Sequence, residues 1–260
     1  MHSLSGNSLG AEGAAALAPA LAANGALTEL SIYGNRVGDE GVGAICEAIQ
    51  SNKETKLASL NFKNNGISPV GANAVAAMVA VTGGLTVTNL LGNQLDAESA
   101  KMLAEVAKQK GISLCGIRRD QTTADFSDQD LKPPDAILLV SDLSQAGATG
   151  SLTSLNLGDN QLCGLDKYGF GTYTAEGITA IADALRVNGV LTALDLSSNK
   201  LKDGGVSAVC QAIQSNKETK LASLNFRNNE IGPVGANAVA AMVAATGSLT
   251  KMRYVRLKQT

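Results

Sequence analysis

The stretch from Leu221 to Ile231 reads LASLNFRNNEI, with apolar residues at its first, fourth, sixth and eleventh places and Asn229 at the ninth. The apolar fourth and sixth places alternate with a period of two, which predicts a short strand with one buried face. The asparagine follows the strand, where backbone N–H and C=O groups lose their ladder partners, and its amide offers both a donor and an acceptor. The stretch therefore predicts a strand that ends in a turn filled by a buried amide.

The same eleven-residue template recurs five times, in Leu27–Val37, Leu57–Ile67, Leu85–Leu95, Leu152–Leu162 and Leu191–Leu201. Most intervals between matches are 28 to 30 residues, which leaves room for a strand, a turn and a full helix in each unit. An asparagine holds the ninth place in every copy. We predict structural roles for these asparagines, Asn35, Asn65, Asn93, Asn160, Asn199 and Asn229.

The repeats predict one continuous domain over residues 1–260, because stacked units extend a core without needing a second domain. Residues 112–151 fit the template poorly: Ile112, Cys115 and Ile117 fill apolar places, but Asp120 stands where the asparagine belongs. We interpret this region as a degenerate, stretched repeat. The predicted units are 1–26 (partial), 27–56, 57–84, 85–111, 112–151 (degenerate), 152–190 (with an insertion), 191–220, 221–248 and 249–260 (partial).

A block of two repeats is duplicated within the chain. Val206–Thr250 repeats Val42–Thr86 with 37 of 45 positions identical, and the identity extends to the polar run SNKET. Unrelated repeats of one class share only their framework, so this identity indicates duplication of a whole block. A single catalytic site would not ordinarily require such a copy.

Packing distances predict the architecture. Parallel strands stack about 4.8 Å apart, whereas helix axes need about 8 to 10 Å, so the units must form a curved α/β solenoid. We expect a horseshoe with a parallel sheet on the concave face and helices on the convex face. Residues between the strand leucines then face the concave side, and they are either protein contacts or an ordinary solvated sheet face. The candidate contacts are Glu29, Tyr33, Lys63, Leu91, Asp195 and Arg227.

An insertion lengthens one strand-to-helix turn to CGLDKYGFGTYTAEG, Cys163–Gly177. It holds Tyr168, Phe170 and Tyr173, three of the eight aromatic residues in the chain. One interpretation is a binding loop, because loops on rigid scaffolds often carry recognition and aromatic rings supply contact area. The other is a loop whose aromatic rings fold back onto the adjacent helix. The sequence leaves both open.

Charge and composition give no support to several classes of partner. The net charge is −2 and charged residues make up 17%, so no overall field favours nucleic acid or an anionic membrane. No stretch approaches the ~20 apolar residues of a spanning helix, and the four cysteines lack metal or disulfide spacing. We expect a soluble, cytoplasmic protein. The basic end (Lys251, Arg253, Arg256 and Lys258) fits either an acidic partner or a solvated edge that discourages strand pairing.

The residue inventory does not favour catalysis. His2 is the only histidine, so serine or cysteine nucleophiles lack their usual base. The chain contains no GxxxxGK[ST] phosphate loop, no HExxH and no GxGxxG. We expect no enzymatic activity, no cofactor and no bound metal.

The pattern LxxLxLxxNxL, followed by helices such as EGVGAICEAI and AEGITAIADAL, resembles the ribonuclease-inhibitor-type leucine-rich repeats. These occur also in nucleotide-binding immune receptors and the Ran GTPase-activating protein. The resemblance implies a protein-binding scaffold. A GTPase-activating role is the first alternative, with Arg36 as the nearest candidate arginine, although such relatives carry an acidic tail and this chain ends basic. The second alternative is a structural subunit of a larger assembly.

Overall fold

A computed structural model of the chain describes residues 2–145 and 150–253, with the side chain of His2 excepted. Arg256 and Lys258, two of the four residues of the basic end, lie outside these residues. The strands are β1 (His2–Ser3), β2 (Glu29–Ser31), β3 (Ser59–Asn61), β4 (Val87–Asn89), β5 (Thr123–Asp125), β6 (Ser154–Asn156), β7 (Ala193–Asp195), β8 (Ser223–Asn225) and β9 (Lys251–Arg253). The helices are α1 (Gly10–Ala23), α2 (Gly38–Ser51), α3 (Pro69–Val81), α4 (Ala97–Lys110), α5 (Pro133–Leu143), α6 (Glu176–Leu185), α7 (Lys202–Ser215) and α8 (Pro233–Ala245).

The chain forms two compact units. The first comprises residues 1–118 and 137–148, and the second comprises residues 119–136 and 149–260. The first unit holds a parallel sheet in the order β1-β2-β3-β4, and the second holds a parallel sheet in the order β5-β6-β7-β8-β9. Consecutive strands pair in chain order, as expected for stacked repeats.

Most strands bury only their middle residue. In β2, Leu30 is buried while Glu29 and Ser31 on either side are half-exposed, and β3, β4, β6, β7 and β8 show the same pattern. The period of two predicts this alternation, because successive side chains leave a strand on opposite faces. Beneath the buried face lie the largest core side chains, Phe62 and Phe226, which are fully buried. The predicted α/β solenoid fold with parallel sheets is confirmed.

The asparagines connect adjacent turns. Asn65 is fully buried, and its Nδ2 donates to the carbonyl of Phe62 in its own turn and of Ile32 in the preceding repeat, both at 3.0 Å. Its Oδ1 accepts from the backbone N–H of Asn35 at 3.0 Å. Asn229 makes the equivalent bonds to Leu196, Phe226 and Asn199. Each amide therefore satisfies backbone groups of two turns at once.

Aspartates on one helix cap the next helix in the stack. Oδ1 of Asp39, in α2, accepts from the backbone N–H of Ser68 at 2.7 Å and of Gly71 at 3.0 Å, at the start of α3. In the duplicated block, Oδ1 of Asp203 accepts from Gly232 and Gly235 at 2.7 and 2.9 Å. Exposed N–H groups at a helix start need such acceptors. The cap persists although Ser68 is replaced by Gly232 in the copy.

The degenerate region differs from its prediction. Asp120 is exposed and does not fill a turn, so its assignment to the asparagine position is wrong. The template instead fits a second stretch, Gln121–Leu131, in which Ala124 is the buried middle residue of β5 and Phe126, just after the strand, is also buried. Backbone N–H groups of this stretch donate to Oδ1 of Asn160, so the repeat is complete in structure without its own asparagine.

The preceding segment is stabilised by a buried acid. Oδ1 of Asp142, in α5, accepts from the backbone N–H of Leu114 at 2.7 Å, and Oδ2 accepts from that of Cys115 at 3.1 Å. The hydroxyl of Ser113 also donates to Oδ2, at 2.6 Å. Burial raises the pKa of Asp142 to about 6, although these hydrogen bonds lower it. A carboxylate from a helix thus supplies the acceptors that an asparagine supplies in regular turns.

Among residues 2–145 and 150–253, no helix combines the length and the apolar character that crossing a membrane requires.

Candidate functional site

The insertion forms a short, pinned hairpin. Leu165 and Gly171 form an antiparallel bridge, and the backbone N–H of Asp166 donates to the carbonyl of Phe170 at 2.9 Å. Oδ1 of Asp166 accepts from the backbone N–H of Tyr168 at 3.0 Å and of Phe170 at 2.8 Å. Bonds within the tip and across the arms therefore fix the loop's conformation.

Two glycines allow the hairpin arms to approach. A Cβ on Gly164 would lie 2.4 Å from the carbonyl oxygen of Thr172, and a Cβ on Gly171 would lie 2.2 Å from that of Gly164. Both glycines also have positive φ angles, +77° and +121°, which L side chains rarely adopt. A larger residue at either place would separate the arms.

The three aromatic residues of the loop divide into two roles. Tyr168 and Phe170, at the tip, are each 75% exposed. Tyr173, at the base, is half-buried, and its hydroxyl donates to the carbonyl of Leu201 at 2.9 Å. Its ring also lies 4.5 Å from Nζ of Lys202. Tyr173 therefore packs back onto the next repeat, whereas the two tip residues are exposed to solvent.

On the second sheet, the candidate residue Asp195 is hydrogen-bonded to its neighbours and the candidate residue Arg227 is exposed. Oδ1 of Asp195 accepts from the backbone N–H and hydroxyl of Ser197, and its Oδ2 accepts from Nδ2 of Asn225 at 2.7 Å. Arg227 is exposed. Asp195 therefore orders its neighbours on the sheet, whereas Arg227 has its side chain toward solvent.

The inner face of each sheet is the face that carries the residues between the strand leucines. On the first sheet, Arg118 from the segment after β4 extends over part of this face. Nη2 of Arg118 lies 3.3 Å from Oε1 of Glu29, although β3 separates the strand of Glu29 from β4. Beneath this pair is a pocket of about 290 Å³, whose polar lining includes Ser31, Ser59 and Asn61. Nothing in the local sequence of Arg118 indicates this contact, because 89 positions separate the two residues.

Two further candidates on this face lie close to each other. Nζ of Lys63 is 5.9 Å from the centre of the Tyr33 ring, and the side chain of Tyr33 is 39% exposed. A lysine above an aromatic ring is attracted by the negative face of the ring. The structure thus joins these two candidates into one feature that the sequence presents as separate positions.

Leu91 is not a surface residue. It is fully buried, so its assignment as a protein contact is wrong. A Cβ on Gly116 would lie 2.8 Å from Nδ2 of Asn89, which places the chain after Cys115 directly against β4. The degenerate segment therefore covers this end of the sheet instead of continuing the regular ladder.

The side chains that could take part in catalysis or metal binding are an exposed arginine, buried cysteines and scattered acidic residues. Arg36 is exposed in a turn, with a φ angle of +54°. Burial raises the pKa values of the Cys46, Cys163 and Cys210 thiols to about 12, which opposes thiolate formation at neutral pH. Within the described residues, no group of three or more histidine, cysteine, aspartate or glutamate side chains is placed to hold a metal ion.

Comparison with known proteins agrees with this architecture. The sequence profile of a family described as "Leucine Rich repeat" matches residues 3–18, 26–46, 187–210 and 217–240. The chain has the leucine-rich-repeat fold. The matched segments fall at the start of the first unit and in the second half of the second unit, which contain regular copies of the template.

One solved structure similar to this leucine-rich-repeat chain is described as the tropomodulin C-terminal domain of Caenorhabditis elegans. It has 15% sequence identity, covers 80% of this chain and 93% of that chain, and gives a TM-score of 0.36. No curated protein sequence matches this one.

Proposed function

We propose that this leucine-rich-repeat protein is a non-enzymatic scaffold that binds another protein. The partner contacts the aromatic tip of the inserted hairpin and the exposed residues of the inner sheet faces. The exposure of Tyr168 and Phe170 carries the proposal. Large aromatic rings at 75% exposure leave apolar area in water, and burying that area against a partner is favourable.

The pinned backbone supports the same role. Asp166 holds the N–H groups of both tip residues, and Tyr173 holds the base of the loop against Leu201. A loop that is ordered before binding loses less conformational entropy when a partner docks. Rigid aromatic side chains on such a loop are typical of residues that dominate binding energy.

The inner faces supply additional contacts in this proposal. On the first sheet, Tyr33 and Lys63 form a cation–aromatic pair, and Glu29 forms an ion pair with Arg118. On the second sheet, Arg227 is exposed and Asp195 is hydrogen-bonded to its neighbours. Such polar residues fix the orientation of a partner, whereas the aromatic tip supplies most of the affinity.

The experiment is affinity capture with a variant that lacks the tip rings. Tyr168→Ser with Phe170→Ser removes both rings and leaves every described backbone bond of the hairpin in place. Proteins captured by the parent chain are quantified by mass spectrometry, and those that bind through the tip should be depleted about tenfold or more with the variant.

A matched control removes exposed apolar residues elsewhere in the same unit. Val187 and Val234 are 74% and 65% exposed, so Val187→Ser with Val234→Ser tests whether any loss of exposed apolar area gives the same result. Capture should persist with this control. Equal capture by the parent and the tip variant would contradict the proposal, provided that both melt at the same temperature.

We also propose that the repeats are of the ribonuclease-inhibitor type, because α2, α3, α7 and α8 are full helices of 13 or 14 residues. Cytoplasmic location is part of the same proposal. It is supported by the four cysteines, which are all buried and unbridged. A nucleotide-hydrolysis assay with and without Arg36→Ala tests the GTPase-activating alternative, which requires stimulation by the parent chain.

A further inference from the structure

Two lysines each lie over an aromatic ring of the loop, Lys167 at the tip and Lys202 at the base. Nζ of Lys167 is 5.3 Å from the centre of the Tyr168 ring, and Nζ of Lys202 is 4.5 Å from that of Tyr173. Phe170 lies between Tyr168 and Tyr173 in the sequence. We define the loop cluster as Lys167, Tyr168, Phe170, Tyr173 and Lys202. It combines an exposed apolar centre with a positive charge at each end.

The nearest carboxylates in the sequence are engaged elsewhere. Asp166, next to Lys167, accepts two backbone hydrogen bonds within the hairpin tip. Asp203, next to Lys202, accepts two from the start of α8. Across the described part of the chain, no ion pair involves either lysine. Both ammonium groups are therefore able to form an ion pair with a carboxylate of a partner.

The positive charges of Lys167 and Lys202 determine which kind of partner can dock on the loop cluster. A partner that covers the whole loop cluster also removes water from the two ammonium groups, and burying an unpaired charge is costly. A neutral or basic partner would leave both charges uncompensated. Carboxylates on the partner would offset the cost through charge-assisted hydrogen bonds.

The spacing limits the shape of the ligand. Phe170 and Tyr173 are three positions apart, which corresponds to about 10 Å of extended chain. A partner segment that carries an apolar side chain between two carboxylates offers a group for the ring and one for each lysine. An extended peptide or an exposed loop satisfies this geometry.

Other anionic partners fit the surroundings less well. Asp128, Asp130 and Asp159 are exposed on the neighbouring strand-to-helix turns of the same unit. A lipid surface or a nucleic acid presents negative charge over a wide area and would be repelled by these aspartates. A protein segment can present its carboxylates to the lysines alone.

We propose that the loop cluster binds an acidic segment of another protein, with an apolar side chain on Phe170 and carboxylates paired with Lys167 and Lys202. This inference rests on the proposed scaffold function and adds the chemistry of the partner.

The test is selection of a displayed library of random peptides on the full chain. Peptides that also bind Tyr168→Ser with Phe170→Ser are discarded, and the remainder should be enriched in carboxylates that flank an apolar residue. Replacing those carboxylates by amides in a synthetic copy should weaken binding about tenfold, as measured by fluorescence anisotropy.

Charge reversal gives a matched pair of variants. Lys167→Glu with Lys202→Glu should weaken binding of the acidic peptides about tenfold or more. Lys217→Glu with Lys220→Glu changes two exposed lysines in the helix-to-strand turn after α7 and should leave binding unchanged. Equal weakening by both pairs would overturn the proposal, because it would indicate only a general effect of net charge.

The outcomes separate this inference from the function on which it rests. Selected peptides that require Tyr168 and Phe170 but lack carboxylates would refute the acidic partner and retain the binding loop. Peptides that bind equally without the tip rings would refute both. If the parent chain, but not the tip variant, sediments with phosphatidylserine-containing vesicles, the proposed acidic protein segment is contradicted. The partner of the loop cluster would then be a lipid surface.

Discussion

The backbone N–H of Asn65 donates to Oδ1 of Asn93 at 3.0 Å, although 28 positions separate the two residues. Asn35 donates in the same way to Asn65, and Asn199 donates to Asn229. Each asparagine therefore holds the turn of the repeat before it. Because the donors are buried backbone groups, water cannot replace the amide when it is removed.

Asn65→Ala should lower the free energy of unfolding by about 1 to 3 kcal/mol, the cost of leaving buried backbone groups without partners. Urea titrations followed by circular dichroism measure the change. Asn73→Ala is the matched control, because Asn73 is exposed on α3 and the same substitution there favours the helix. Equal stability of the two variants would contradict the turn-filling role.

A second prediction concerns two helix glycines with opposite surroundings. A Cβ on Gly71 would lie 2.5 Å from Oδ1 of Asp39 and 2.8 Å from Cγ2 of Ile67, whereas a Cβ on Gly43 would meet nothing within 4 Å. Gly71→Ala should destabilise by about 1 to 3 kcal/mol, because it forces the capping aspartate away. Gly43→Ala should stabilise by about 0.5 to 1 kcal/mol, because it removes glycine from a helix interior. Thermal melts that shift in the same direction would refute this contrast.

A third prediction tests the anchor of the hairpin. Tyr173→Phe removes the hydroxyl that donates to Leu201 but keeps the ring beside Lys202, so it should cost about 0.5 to 1.5 kcal/mol. Tyr173→Ala removes the ring as well and should increase hydrogen–deuterium exchange of the loop amides at Asp166 and Phe170. Unchanged exchange in the alanine variant would show that the hairpin's own bonds suffice to hold it.

Local patterns predict the repeats because each strand and turn depends on residues close in sequence. Leu30 and Asn35 occupy fixed places in the template, and their buried positions follow from a period of two and from the end of the strand. The tip of the insertion is also local, since Asp166 bonds residues two and four positions later. Such contacts are accessible to sequence reasoning.

Contacts between distant residues were not predictable in the same way. Arg118 reaches Glu29 only because the chain after β4 leaves the regular ladder, and no pattern in the sequence marks that departure. Leu91, which the regular template places on the open face, is buried, and no pattern in its repeat indicates this. Asp142 resembles any helix aspartate in the sequence, yet it bonds the turn at Ser113, 29 positions earlier.

Asp142 gives the last prediction, a dependence of stability on pH. Burial raises its pKa from the ordinary 3.8 to about 6, despite three hydrogen bonds that favour the charged form. The folded state therefore binds a proton more tightly than the unfolded state. Its stabilising contribution is fully present below pH 3.8 and is lost as the pH rises through 6.

Asp142→Asn should remove this dependence, because the amide oxygen still accepts a backbone hydrogen bond and carries no charge. A pKa shift of this size corresponds to about 3 kcal/mol in the free energy of unfolding. The parent chain should therefore lose a measurable part of this free energy, relative to the variant, between pH 4 and 7. Other carboxylates act oppositely: hydrogen bonds from Ser99 lower the pKa of Asp96. The difference between parent and variant in urea titrations isolates Asp142, and exposed Asp120→Asn is the matched control. Parallel stability curves for the parent and Asp142→Asn would mean that the buried acid does not titrate in this range.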